Sequence, residues 1–535
     1  MKATFRQSMA WLHTWSGLWL VWVLFAIFFT GTLGVFDDAI STWMKGGPQQ
    51  SLPLPDEGAR LRALGHAQDF AVRTAPRAEF WSIGLPNAEE SAVTVFWRET
   101  EDSPLRRQRI DPETGAALGA GAIRETEGGH HFVHMHFEFH AGDAGIWLVG
   151  VAAMAMLVAM VSGIVVHKKI FVDFFTFRPG KGQRSWLDAH NALGVLTLPF
   201  QFMIAYTGLV VFWAFYMPAG VAARYGGDDD AFFAALNEGP AARPMRGIDK
   251  PVLPLAGLLR EGEVLMGRAG RFVVVRHPGD ESASVRVFGR VDEEAGAHRL
   301  LGGGSGRVQF DATTGAVLDV QMPETRRGGG ALATQQTMNA LHFVQFGGYP
   351  MKWLYFICGL AGAAMIASGA VLYTAKRRNK PGAEFGAATV RVHRAIEALN
   401  VAAIAGLMLA CIAYLWINRL LPMGVDQRAE WEIRLFFAVW AATLVHALWR
   451  PPAAAWAGQL GATAALCLAL PLLNLLTTGD HLVAALLRGD GECAGVELVA
   501  LAFGACCAGV AYRMRRGRAV ARPPAFATAV GREAA

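Results

Sequence analysis

Histidine is the residue type in this sequence whose number and spacing could support chemistry. The chain has 15 histidines among 535 residues, and most of them stand where a long apolar stretch begins or ends. Imidazole at such a position can ligate a metal or move a proton, and ionisable groups at membrane depth are costly enough to suggest a function. One set of apolar ends carries His13, His167, His190, His393 and His446, and the opposite set carries His134, His136, His140 and His342.

Two tiers of imidazoles, one at each membrane face, predict b-type haems held between helices by histidine pairs. The 27 residues from His140 to His167 would extend about 40 Å as a helix, so one haem cannot serve both tiers. We therefore predict about two haems and an electron route between them, with His13 and His190 sharing one haem or belonging to two related sites. The alternative is that these side chains merely cap helix ends or tolerate partial hydration.

The densest run of histidines, residues 129–140, is open to several interpretations. As a strand it places His134, His136 and His140 on one face, and as a helix it stacks His136 on His140. The run could ligate an outer haem, bind a labile metal such as Zn or Cu, or contact an iron substrate. His130 and His131 are the candidates for direct substrate contact, and are otherwise expected to be solvated loop residues.

Membrane helices must position these histidines. Hydrophobic residues make up 53% of the chain and charged residues 17%, against about 25% charged in soluble proteins. Eight apolar runs are long enough to cross a bilayer, and clustered Lys and Arg in alternate loops predict that both termini lie in the cytoplasm. The predicted spans are 11–36, 144–166, 187–213, 351–374, 394–417, 433–449, 453–476 and 494–512.

Two long hydrophilic insertions are predicted to lie outside the cytoplasm, and they repeat. Each has a helical stretch (59–73; 252–266), alternating strands (79–85 and 92–98; 271–276 and 283–290) and a D-x-x-T-G turn (111–115; 311–315). We predict an all-α bundle of about eight helices with two α+β modules. The predicted segments are a first helix in 1–36, a module in 37–143, helices in 144–213, a module in 214–350, helices in 351–417 and 418–512, and a tail in 513–535.

This arrangement resembles the PepSY-associated transmembrane family of iron-regulated inner-membrane proteins, which includes ferric-siderophore reductases. The motifs that carry the resemblance over residues 8–395 are the two D-x-x-T-G turns, the H-x-x-x-G span starts at His13 and His190, the Ser162-Gly163 pair, His136-x3-His140 and Leu341-His342-Phe343. The resemblance implies two periplasmic PepSY-like modules in a multi-pass protein of the bacterial inner membrane, with a ferric-siderophore as substrate. Some members carry fused flavin-binding portions, but no flavin motif occurs in this sequence.

The leading functional hypothesis is a haem oxidoreductase that accepts electrons from a cytoplasmic reductase or a quinol and reduces ferric-siderophore in the periplasm to aid iron uptake. The candidate ligands are His13, His167, His190, His393, His134, His136, His140 and His342. The alternative is a non-redox protein whose modules bind a periplasmic peptidase, metal or envelope partner. A net charge of +5 is too small to favour a nucleic-acid partner. A phosphate loop and a dinucleotide-binding fingerprint are both absent from the sequence.

Overall fold

The computed structural model describes residues 4–46, 56–86, 92–100, 103–119, 124–167, 178, 180, 182–236, 240, 243–290, 305–323, 330–379 and 385–521. Helices dominate these residues. Their bounds are α1 Phe5–Gly34, α2 Asp37–Lys45, α3 Glu57–Thr74, α4 His130–Phe137, α5 Gly142–Val166, α6 Gln183–Val211, α7 Trp213–Tyr216, α8 Ala219–Tyr225, α9 Asp229–Leu236, α10 Leu255–Met266, α11 Gly330–His342, α12 Gly348–Asn379, α13 Thr389–Asn400, α14 Leu407–Leu420, α15 Arg428–Trp449, α16 Pro452–Thr478, α17 Leu482–Leu487 and α18 Gly491–Ala521.

Eight of the described helical segments are long and apolar enough to cross a membrane, which confirms the predicted number of spans. They are α1, α5, α6, α12, the continuous segment Thr389–Leu420, α15, α16 and α18. Inside Thr389–Leu420, the π-helical turn Val401–Gly406 joins α13 to α14, and every residue of that turn is buried. At this turn the backbone of Gly406 lies so close to Thr443 of α15 that a Cβ on Gly406 would overlap the Thr443 hydroxyl.

The chain divides into two compact units. The first unit comprises Met1–Gly47, Ile123–Ala205 and Tyr355–Ala535, and it contains most of the apolar helices. Its core is built on α1, where Phe25 and Ala26 are fully buried with Leu407 and Tyr414 of the π-turn segment. Helices α1 and α5 are antiparallel, since Arg6 and His13 in the first half of α1 contact the carbonyls of Val166 and Ala159 in the last part of α5.

The second unit, Pro48–Ala122 and Tyr206–Leu354, contains the strands of both insertions. All seven described strands form one antiparallel sheet in the order β3-β2-β1-β4-β5-β6-β7. The first strands of the two repeats pair with each other, with Phe80 opposite Arg276 and Gly84 opposite Phe272. The strands of the two predicted modules therefore share one sheet, because their edge strands pair. The bounds are β1 Phe80–Gly84, β2 Val93–Arg98, β3 Arg106–Ile110, β4 Gly270–Arg276, β5 Ser284–Gly289, β6 Arg307–Asp311 and β7 Val317–Gln321.

The two D-x-x-T-G turns have the same conformation, which confirms the repeat. In the first, Asp111 Oδ1 accepts hydrogen bonds from the backbone N–H of Thr114 at 2.8 Å and from its hydroxyl at 2.9 Å. In the second, Asp311 Oδ1 accepts from the backbone N–H of Thr314 at 2.9 Å. The glycine that follows has a positive φ in both turns, 70° at Gly115 and 78° at Gly315, which explains why glycine is used there.

Candidate functional site

His13 of α1 and His190 of α6 form a pair inside the first unit. Their ring centroids are 6.3 Å apart and the ring planes are inclined at 68°. Two metal–imidazole bonds of about 2 Å each, plus the two ring radii, account for a separation of roughly 6 Å when two histidines ligate one ion from opposite sides. The separation therefore fits a haem iron that His13 and His190 would hold between them.

The hydrogen bonds of the pair fix the tautomer that ligation requires. His13 Nδ1 lies 2.8 Å from the carbonyl oxygen of Ala159 on α5. His190 Nδ1 lies 3.0 Å from the carbonyl oxygen of Met365 on α12. A carbonyl only accepts, so each Nδ1 carries the proton and each Nε2 keeps the lone pair that would bind iron. The Ser162 and Ser368 hydroxyls each lie 3.4 Å from the same nitrogens.

Two glycines let these rings sit against the neighbouring helices. A Cβ on Gly163 would lie 3.2 Å from His13 Cε1, and a Cβ on Gly369 would lie 3.2 Å from His190 Cε1. The Ser-Gly pairs, which lie near span ends, thus form equivalent contacts in the two repeats. We call such a glycine, whose missing side chain lets a histidine ring lie against the helix, a glycine seat. The glycines of the H-x-x-x-G starts leave room beside the pair, because a Cβ on Gly17 would meet no described atom within 4 Å and one on Gly194 would lie 3.8 Å from Met365 Cγ. Such room suits a flat porphyrin.

His136 occupies a similar seat at the other end of α1. Its Nδ1 lies 2.8 Å from the carbonyl oxygen of Ile27, so its Nε2 is also left with the lone pair. A Cβ on Gly31 would lie only 2.5 Å from His136 Nδ1, which makes Gly31 necessary for the approach of α4 to α1. These contacts support an outer-tier ligand role for His136.

His342, in the second unit, repeats the pattern at the end of α11. Its Nδ1 lies 3.1 Å from the hydroxyl of Thr207, and a Cβ on Gly208 would lie 2.9 Å from its Cε1. The ring is thus seated on a glycine of α6, as His136 is seated on a glycine of α1. The sequence repeat that relates these two histidines extends to their local contacts.

The remaining outer histidines form a cluster around the C-terminal end of helix α4. Because α4 ends at Phe137, His140 does not stack on His136 as a longer helix would require. His140 has a φ of 52° and its Nε2 lies 3.0 Å from His131 Nδ1. His134 Nδ1 lies 2.5 Å from the carboxylate of Glu138. The ring of His140 therefore contacts both His134 and His131, with centroids 5.3 Å and 5.0 Å away.

His131 is fully buried, at 0% exposure, so the expectation that it is a solvated loop residue is wrong. Its ring packs between Tyr414 and Phe436, each with a centroid 4.4 Å away. Burial lowers the pKa of His131 well below its ordinary value, and the neighbouring His140 lowers it further. Among the described residues, its Nε2 has no hydrogen-bond partner. This ring is therefore held neutral and away from bulk substrate.

His130, by contrast, has an exposed side chain beside Asp37, with Nδ1 3.3 Å from the carboxylate. The hydrogen bond to that carboxylate raises the pKa of His130. Of the two predicted substrate contacts, only His130 can meet a molecule from solution. Its raised pKa favours the cationic form of the ring.

The other predicted ligands have different surroundings. His167 follows the last residue of α5 and caps it, with its backbone N–H donating to Gly163. His393 of α13 contacts the ring of Phe385 at 6.1 Å rather than joining the His13 and His190 pair. His167 also interacts electrostatically with both His13 and His190, whereas His393 is not included among the proposed ligands.

A buried polar network near the outer cluster was missed by sequence reasoning. Glu432, which directly precedes the predicted span 433–449, lies in α15, where it is fully buried and paired with Arg428 one turn before it. Its carboxylate also accepts from Asn418 at 2.8 Å and from the Thr126 hydroxyl at 2.6 Å. The i, i+4 spacing of Arg428 and Glu432 was the available signal. The network continues through Arg419, Asn474, Glu497 and Trp43.

Comparison with known proteins agrees with this repeated architecture. Residues 10–376 match the PepSY-associated TM region. The chain belongs to the PepSY-associated transmembrane family. An uncharacterized protein of Pseudomonas aeruginosa is similar, with 26% identity over 427 residues that cover 75% of this chain and 97% of that protein. The family region includes the His13, His190, His136 and His342 seats, whereas α13 and the later helices lie outside it.

Proposed function

We propose that this PepSY-associated transmembrane protein is a haem-dependent oxidoreductase of the bacterial inner membrane, which reduces ferric iron bound to a siderophore in the periplasm. The observation that carries the proposal is the 6.3 Å separation of the His13 and His190 rings. Both rings are held in the tautomer that leaves Nε2 available. The two carbonyl acceptors come from two other helices, α5 and α12, and give both rings the same tautomer.

Each set of residues has a defined part in this function. His13 and His190 would hold haem b at one end of the helices, His136 is the proposed outer-tier ligand of the first unit, and His342 is a proposed ligand within the second unit. Bound haem supplies one-electron transfer. The chain's own contribution is to fix each imidazole against a glycine and to surround the site with apolar helices that keep water out.

The direction of transfer follows from charge and from the outer cluster. Arg377, Arg394 and Arg513 lie toward the His13 end of their helices, which favours placing that end in the cytoplasm. The exposed His130 would then face the periplasm. One electron converts Fe(III) to Fe(II), which hard siderophore oxygens hold less tightly, so iron leaves an intact chelator. The second unit is the proposed docking surface for that complex.

The visible spectrum of the purified protein tests the proposal. In detergent, with haem supplied during expression, we expect Soret and α bands that sharpen on addition of dithionite, with about two haems per chain. His13→Ala and His190→Ala should each remove the same haem and leave the other. His446→Ala is the matched control, because His446 lies at the same end and hydrogen-bonds to Gln459 instead.

Two results would overturn the proposal. One is a protein that folds in membranes and shows no haem bands at all, which would leave the non-redox binding role. The other is unchanged haem content and spectrum in both His13→Ala and His190→Ala. Transfer itself is measured in liposomes, where a reductant inside should reduce an external ferric-siderophore only with both haem tiers intact.

A further inference from the structure

A cavity at the His13 end of the first unit is not used by the proposed ligands. Its volume is about 510 Å³, within the range of small-molecule sites. The ends of α12, α13, α15 and the start of α16 enclose it. The lining residues that bear on its chemistry are Arg377, His393, Arg394, Glu397, Trp449 and Pro451.

The polar lining combines an acid–base pair with cations. His393 and Glu397 are four residues apart on α13, so both reach the cavity from one helix face. His393 Nε2 is buried and has no hydrogen-bond partner among the described residues. A buried imidazole nitrogen left unsatisfied is a site at which a ligand hydroxyl or carbonyl gains a hydrogen bond.

The apolar lining suits a ligand that resides in the bilayer. Trp449 and Val390 line the cavity and are 81% and 80% exposed, so the cavity has an apolar rim where lipid would contact the helices. Tryptophan at that depth is typical of the membrane interface. A molecule with a polar ring and an apolar tail matches a site of this kind.

We propose that this cavity binds a membrane quinol and is the site where the protein takes up its electrons. This inference rests on the proposed function and names its donor. A phospholipid headgroup is the competing occupant, because Arg377 and Arg394 could hold its phosphate. The Glu397 carboxylate would repel a phosphate, whereas a quinol hydroxyl can donate to it, and the histidine likewise accepts from a hydroxyl.

Aromatic contacts join the cavity to the His13 helix. His393 contacts Phe385 at 6.1 Å, and Phe385 contacts Trp15 at 6.3 Å, measured between ring centroids. Trp15 is two residues after His13. The buried Tyr373, which also lines the cavity, packs in one cluster with Leu18 of the same helix. The proposed donor site is therefore next to the elements that carry the proposed haem ligands.

The reaction balances without another reactant. Haem held by His13 and His190 would supply a one-electron acceptor, so a hydroquinone would give up its two electrons one at a time and become the quinone. Its two phenolic O–H bonds break, and the protons pass to His393 Nε2 and to the Glu397 carboxylate, which release them to water. Two ferric ions are reduced to ferrous for each quinol oxidised.

Binding and electron transfer can be tested separately on the full-length protein in nanodiscs. A photoreactive azidoquinone should label peptides containing residues 385–397 or 449–452, and decylubiquinone should compete. His393→Ala should weaken decylubiquinone binding roughly tenfold or more, as expected for loss of one buried hydrogen bond. His446→Ala, which changes a histidine at the same helix end that does not line the cavity, should leave binding unchanged.

Reduction by decylubiquinol, followed by stopped-flow spectroscopy, should slow by a similar factor in His393→Ala, while haem content and reduction by dithionite stay normal. Labelling elsewhere, or binding unaffected by His393→Ala, would overturn the quinol site alone. Competition by anionic phospholipid vesicles but not by decylubiquinone would also overturn it and identify a lipid headgroup site. Absence of haem would instead overturn the proposed function, since quinone labelling can be measured in the same preparation.

Discussion

Replacing Gly31 by alanine tests whether the glycine seat determines binding at the outer tier. The added Cβ would lie 2.5 Å from His136 Nδ1 and 2.7 Å from Cε1. His136 must then rotate or move α4 away from α1. Either movement lengthens the 2.8 Å hydrogen bond to the carbonyl of Ile27, and the ring loses its fixed orientation.

The size of the effect follows from three contributions. Overpacking of a well-packed contact costs roughly 1–3 kcal/mol, and loss of the hydrogen bond costs about 1 kcal/mol. Alanine in place of a helical glycine recovers about 1 kcal/mol. The net cost at the seat is about 2 kcal/mol, which corresponds to roughly thirtyfold weaker haem binding by His136.

Haem titration of the variant, with the pyridine haemochrome and redox difference spectra, measures the change in haem affinity directly. We expect Gly31→Ala to lose part or all of one haem and to keep the haem of the His13 pair. Gly509→Ala is the control, because a Cβ there meets no described atom within 4 Å. Gly163→Ala should have a smaller effect on the inner haem, since its Cβ would lie 3.2 Å from His13 Cε1. Full haem occupancy in Gly31→Ala, with unchanged haem affinity, would show that the Gly31 seat does not determine haem binding by His136.

Two further predictions concern stability. Arg428→Leu leaves the carboxylate of Glu432 buried without its cation, so thermal unfolding of the purified protein should show a loss of about 3–5 kcal/mol in the free energy of unfolding. The control is Arg434→Leu, which breaks an exposed pair on the same helix and should cost about 0–1 kcal/mol. Equal losses in the two variants would contradict the stabilising role of the network. In the second unit, hydrogen bonds from Ser282 and from backbone N–H groups hold the pKa of Asp280 below its ordinary value. That carboxylate stabilises the fold above pH of about 4 and ceases to do so as the pH falls through its lowered pKa. The stability difference between the natural protein and Asp280→Asn, followed by circular dichroism, should therefore shrink on acidification, and a difference that grows would contradict the assignment.

Local patterns were sufficient to predict much of the fold. Eight apolar runs gave the eight candidate spans, because length and hydropathy decide whether a helix can cross a bilayer. The D-x-x-T-G turns were predictable because Asp111 and Asp311 each bond to residues two or three positions away. The helix of the first repeat, expected at 59–73, is Glu57–Thr74.

Pairings between distant segments were not predictable in the same way. Two repeats that each have exposed edge strands can remain separate or join. The alternation of apolar and polar residues in β1 and β4 does not specify that Phe80 pairs with Arg276. The burial of His131 depends on Tyr414 and Phe436, which lie about 280 and 300 residues later in the chain. A histidine-rich run following a hydrophilic insertion therefore looks solvated until those helices are placed.

The glycine seat alone does not make a histidine a ligand, and His446 shows why. A Cβ on Gly458 would lie 3.4 Å from its Cε1, much as Gly163 does for His13. However, the Nδ1 of His446 lies 3.2 Å from Nε2 of Gln459, an amide nitrogen that also donates to the carbonyl of Thr443. Since an amide N–H only donates, Nδ1 of His446 must accept, and its proton resides on Nε2. That tautomer cannot offer Nε2 to iron, whereas the carbonyl acceptors beside His13, His190 and His136 enforce the one that can. The partner of Nδ1, rather than position at a span end, therefore separates His13, His190 and His136 from His446.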